Sequence, residues 1–103
     1  MPISLKERLE EDMRTALRAG DRDRLSVIRM ALAAIKRSEI DNRGSLDDSD
    51  TQGVLEKMVK QSREAADLYE QGGEPGRAKK EAAEIEILMR YLPEPLAESE
   101  VAV

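Results

Sequence analysis

The sequence predicts an all-α domain of four antiparallel helices with short loops, and three observations carry that reading. The only aromatic residues are Tyr69 and Tyr91, so the core is left to Leu, Ile, Val, Met and Ala, the side chains of packed helices. Between Arg24 and Asp41, Leu25, Ile28, Leu32 and Ile35 recur at steps of three and four, while Val27, Ala31 and Ala34 make a second, thinner stripe. A helix that is apolar on two sides needs a neighbour on each, which places this one at the centre. Turn residues punctuate the periodic stretches at Gly20, Gly44, Gly72-Gly73, Pro75 and Pro93, leaving four helical segments with short connections.

The first helix opens on a capping box, with Ser4 as N-cap and Glu7 three residues on, each side chain satisfying a backbone N–H of the other residue. Leu5, Leu9, Met13, Ala16 and Leu17 form its expected buried stripe, and Gly20 ends it in the left-handed conformation that glycine takes without a Cβ penalty. Asp21 caps the second helix, which runs to about Asn42 and breaks at Gly44. So short a connection makes the first two helices a hairpin or a bent pair. Asp47, Asp48 and Asp50 announce the third helix, where acids favour the helix dipole, and Ser49 with Gln52 offers a second capping box. Leu55, Met58, Val59, Ser62, Ala65, Ala66 and Tyr69 follow at helical spacing until Gly72-Gly73. The fourth helix begins at Pro75 or the next residue, with Ala78, Ala82, Ile85, Met89 and Leu92 as its stripe, and Pro93 limits its continuation.

With 103 residues the chain is one domain or slightly more. It has no cysteine, which excludes disulfides and thiolate metal sites and suits a reducing compartment, the cytoplasm by default. No segment approaches the roughly 20 apolar residues of a membrane span, and MPISLKERLEEDM lacks the apolar run of a signal peptide. The net charge of −5 argues against a general nucleic-acid binder. Charge is unevenly placed, however. Residues 21–43 carry net +2 and residues 45–74 net −5, so any RNA contact centres on the second helix.

Histidine and cysteine are both missing, which removes the commonest general base, the commonest metal ligand and the strongest side-chain nucleophile. Glu81, Glu84 and Glu86 read as a solvated acidic face, since no matching carboxylate or Glu-x-x-His set completes a di-metal site. Gly72-Gly73-Glu74-Pro75-Gly76-Arg77 precedes a helix N-terminus but lacks the ending of a P-loop and does not follow a strand, and reads as a plain turn. No catalytic residue, metal or cofactor is assigned. Arg29 lies between Leu25 and Leu32 and is expected to be partly buried, paired with Glu64 or Glu84. Lys36, Arg37 and Arg43 sit near a helix C-terminus, where the dipole favours bases and phosphate contact is the sharper alternative.

Three blocks carry a resemblance. LKERLEEDMRTALRAGDRDRLSVIRMALAAIKRSEID at the start, Val59-Lys60-Gln61-Ser62-Arg63-Glu64 in the middle and EIEILMRYLPEPL near the end are together similar to the GatB/YqeY family; Ser62 stands where that family has an arginine. The family's members are small helical proteins related to the non-catalytic C-terminal part of the B subunit of the glutamine-dependent tRNA amidotransferase. The resemblance implies a non-catalytic helical module, residues 1–93, associated with tRNA or with a protein partner in tRNA charging. Residues 94–103 would be a hinge or the start of a second helical domain, and the sequence reads as a natural short form or, in preference, as cut at that boundary. The family name also implies carbon–nitrogen ligase activity with glutamine as amido donor, for which no catalytic residue is visible. Arg29, Lys36, Arg37, Lys60 and Arg63 would form a basic strip on tRNA if helices two and three are neighbours; without interleaved aromatics it would recognise folded shape. A protein-interaction adaptor or homo-oligomer is the alternative, marked by an exposed apolar patch around Ile87, Tyr91 and Leu96.

Overall fold

Each helix of the computed structural model, which describes residues 3–93, starts and stops on local chemistry. The order is α1 (Leu5–Ala19), α2 (Arg22–Asn42), α3 (Asp48–Gln71) and α4 (Pro75–Met89), with no strand among the described residues. The Ser4–Glu7 capping box is formed, Gly20 takes φ 71, and Asp21 accepts from the Arg24 N–H. The residue that turns the chain left-handed after α2 is Arg43 (φ 56), one position before the expected glycine. At the start of α3 the cap is Asp47, which accepts from the Asp50 N–H. Ser49 therefore lies inside the first turn, and the expected Ser49–Gln52 box is replaced by a cap two residues earlier.

Helices α1 and α2 form an antiparallel hairpin. Near one end Lys6 meets Glu39 at 3.0 Å; further along Arg24 lies 3.8 Å from Asp12. Helices α3 and α4 make a second hairpin through Gly72–Glu74, and both α2 and α3 touch all the other helices. Two carboxylates tie the corner where α1, α2 and α3 meet. Asp48 accepts from the Leu5 N–H at 2.9 Å, while Glu39 accepts from Lys6 and from the Leu46 N–H at 3.3 Å. Those donors, Lys6 first, hold the Glu39 carboxyl below its usual range.

The core centres on Leu9, Ile28, Ala31, Ile35 and Leu55, all fully enclosed, with Val27, Val59, Leu88 and Tyr91 around them. On α2 both stripes are buried in part: Ile28 and Ile35 of the first and Val27 and Ala31 of the second are enclosed, while Leu25, Leu32 and Ala34 are half-buried. Three further expectations are corrected. Leu17 is 57% exposed, because Ala16 takes the inward position beside the hairpin turn. Ala82 is exposed, since α4 packs through Ala78, Ile85 and Leu88. Arg29 is exposed, so neither Glu64 nor Glu84 is needed to neutralise a buried charge.

Tyr91 closes the structure beyond α4. It is only 4% exposed, its hydroxyl donates to Asp12 at 2.5 Å, and the Arg8 guanidinium lies 4.8 Å from the ring centroid. Arg8 also donates to the Arg90 carbonyl. The expected apolar patch around Ile87, Tyr91 and Leu96 is not formed as read, because Tyr91 is core and Ile87 packs partly against it. Leu96 and the proposed segment 94–103 lie outside the described residues.

Candidate functional site

The feature of α2 most suited to a ligand is a row of bases. Arg22, Arg29, Lys36 and Arg43 are spaced by seven residues and all are exposed. Seven residues are just under two turns, so the four positions lie along one gently drifting line, about 10.5 Å apart over roughly 31 Å. Ala33 and Ile40 share this outer face, Ile40 at 65% exposure, and Glu39 joins Lys36, Ile40 and Arg43 around a shallow hollow at its far end. Glu39 flanks Lys36 on the inner side, where Lys6 already engages it.

The residues expected to form one basic strip are divided among three surfaces. Arg29 and Lys36 lie on this outer ridge. Arg37 is turned toward α3, in a hollow that it shares with Lys57, Met30 and Met58. On α3 the residues that line this hollow are Val54, Lys57, Met58 and Gln61. Lys60 points away from that side, and Arg63, half a helical turn from Gln61, lies on the opposite side of α3. The two helices are neighbours, as expected, but the phase of α3 brings Lys57 to the interface. Sequence reasoning passed over Arg22 and Lys57; the seven-residue spacing would have found Arg22, whereas Lys57 becomes visible only when the helices are packed.

The acidic cluster on α4 is partly enclosed. Glu84 lines the cleft between α4 and the start of α2, and its carboxyl is held above the usual range, by burial first and then by the charge and hydrogen bond of Glu81. Among the described residues no three of His, Cys, Asp and Glu come together as metal ligands. At the Gly72–Arg77 turn, Glu74 occupies the N-cap position without a capping bond, and Arg77 pairs with it at 3.3 Å while covering Tyr69. This turn presents an acid where a phosphate would have to bind.

No described helix is long and apolar enough to cross a membrane. The chain is similar to the protein called Altered inheritance of mitochondria protein 41, mitochondrial, in three yeasts. It is 33% identical over 85 residues to the one from Eremothecium gossypii, covering 82% of this chain and 46% of that protein. It is 31% identical over 85 residues to that of Lachancea thermotolerans, with the same coverage, and 36% over 72 residues to that of Komagataella phaffii, covering 65% of this chain and 38% of the relative. The chain thus spans less than half the length of these curated relatives, whose names place them in mitochondria. Residues 6–103 match the family described as Yqey-like protein, and with four helices arranged as above, the chain belongs to the YqeY-like family.

Proposed function

We propose that this domain is a non-catalytic helical module that docks on folded tRNA, alone or within the tRNA-charging machinery, through the outer ridge of α2. The observation that carries the reading is the line of exposed bases Arg22, Arg29, Lys36 and Arg43 on a chain whose net charge is −5; the acid beside it, Glu39, is engaged by Lys6. An acidic protein repels nucleic acid over much of its surface, so a row of bases gives phosphate contact a place and an orientation. Arg43 supports it further. It holds φ 56 with Gly44 immediately beside it, so an arginine occupies the left-handed position that glycine would fill without strain. The resemblance to the non-catalytic part of the amidotransferase B subunit supplies tRNA as the RNA in question. The lack of histidine and cysteine supports a binding role, and the cysteine-free composition supports a reducing compartment such as the cytoplasm.

Arg29 and Lys36 are the central contacts of this reading; Arg37, Lys60 and Arg63 lie off the ridge and are secondary. The test is the affinity of the chain for folded tRNA and for an unrelated RNA duplex, with Lys36→Ala and Lys60→Ala beside the wild type. Both lysines are exposed, so neither substitution threatens the fold. Selective tRNA binding that Lys36→Ala weakens several-fold and Lys60→Ala leaves nearly unchanged is the expected result. Equal affinity for both RNAs, or no binding, removes the proposal.

A further inference from the structure

The edge of α2 beside the ridge, turned toward α3 and α4, lines two hollows in succession. Near its start, Asp23, Ser26 and Val27 face Lys80 and Ala83 of α4 across a space of about 440 Å³. Further along, Met30, Ala34 and Arg37 face Lys57 and Met58 of α3 across about 540 Å³. Ser26 and Met30 are four residues apart and so occupy consecutive turns of one face. The hollows therefore follow each other along the α2 edge from Asp23 to Asp41, roughly 27 Å.

We propose that this edge is a docking groove for an amphipathic helix of a protein partner, one that carries acidic residues beside its apolar stripe. The length suits a helix of about 18 residues. The floor is small where close approach is needed, at Ser26, Ala33, Ala34 and Ala83, and adaptable at Met30 and Met58, whose unbranched thioethers conform to a partner. Apolar surface is left uncovered here. Met30 is 43% exposed, and Leu68, on the same edge of α3 as Val54 and Gln61, is 67% exposed; a helix laid in the groove covers Met30 and reaches toward Leu68.

Charge selects the occupant. The wall built by α3 and α4 presents Lys57, Lys79 and Lys80 against Glu84, a cationic wall on an acidic chain that favours acidic flanks. Asp23, Asp41 and Glu84 stand at intervals along the groove. They repel a continuous run of phosphates, whereas a helix can place its own polar residues opposite them. Neither tyrosine lines the groove, so bases find no stacking platform there. The central contacts of the tRNA reading, Arg29 and Lys36, lie on the neighbouring face of α2 and outside this groove; Arg37, secondary in that reading, lines it.

The test uses two synthetic 18-residue helical peptides with the same Leu/Ala stripe, one flanked by Glu and the other by Lys, titrated into the isotope-labelled chain. The Glu peptide is expected to shift the amide resonances of Ala34, Met58 and Ala83 and to bind at least tenfold more tightly than the Lys peptide. The exposed double substitution Lys57→Glu/Lys79→Glu, its fold checked by circular dichroism, reverses that preference, while Arg29→Ala leaves it unchanged. Shifts by neither peptide in the groove, equal affinity for both, or a preference that survives the double substitution overturns the proposal. Folded tRNA shifting the same three resonances also overturns it, by making the groove an RNA surface.

Discussion

Tyr91 joins the end of α4 to α1 by three different interactions. Its ring is buried, its face is covered by Arg8, and its hydroxyl donates to Asp12, which also lies near Arg24. Burial, and then the Asp12 carboxylate, hold the phenol above its ordinary range. Tyr91→Phe keeps the ring and removes only the donor, so it is expected to cost about 1–2 kcal/mol, seen as a fall of roughly 5–10 °C in Tm. Two glutamates behave oppositely with pH. Glu84 has a raised folded pKa, so its contribution to stability is full below the ordinary carboxylate range and is lost as pH rises through the raised value. Glu39 has a lowered folded pKa, so its contribution is present above the ordinary range and is lost as pH falls through the lowered value. Thermal melts are therefore expected to show Glu84→Gln stabilising at pH 7, by about 1–2 °C, with the gain gone below pH ~4. Glu39→Gln is expected to destabilise at pH 7 and to converge on wild type in strong acid.

The helices differ in where they carry their stability. Leu55 on α3 is fully enclosed while Leu17 on α1 is largely exposed. Leu55→Ala is expected to cost about 2–5 kcal/mol and Leu17→Ala less than about 0.5 kcal/mol in denaturant unfolding. At the end of α2, Arg43→Gly relieves a left-handed arginine and is expected to stabilise by about 0.5–1 kcal/mol, while weakening tRNA binding if the ridge acts as proposed. The helix ends were legible in the sequence because capping is local: Ser4 with Glu7, Gly20 with Asp21, Gly72-Gly73 and Pro75 act on their own backbones. Ser49 misled because Asp47, two residues earlier, offers an equally good cap oxygen. Facing was less legible. Leu17, Ala82, Arg29 and Tyr91 each satisfied a periodic pattern or broke one, and the outcome depended on how the two hairpins cross, which no single helix encodes.

Across the whole molecule, α2 presents two exposed surfaces with different chemistry, a basic ridge outward and a mixed groove toward α3 and α4. The ridge is partly legible, since its bases, Arg29 and Lys36 among them, are visible in the sequence. Joining Lys60 and Arg63 to them requires a phase of α3 that the sequence of one helix does not set. The phase observed turns Lys57 toward α2 and carries Arg63 to the far side. The groove could not be read from one helix, because its walls come from three. Net charge enters at this scale as well. If the ridge docks on tRNA as proposed, an acidic chain engages few phosphates, so the salt dependence is expected to be shallow and each ridge residue to account for a large part of it.

The most direct measurement is the slope of log affinity for folded tRNA against log salt, for the wild type and for Arg29→Ala/Lys36→Ala. With two phosphate contacts removed, the slope is predicted to fall in magnitude by about 1.4–1.8, with the circular dichroism spectrum unchanged. An unchanged slope in the double variant would contradict the account, because the ridge would then carry none of the phosphate contact.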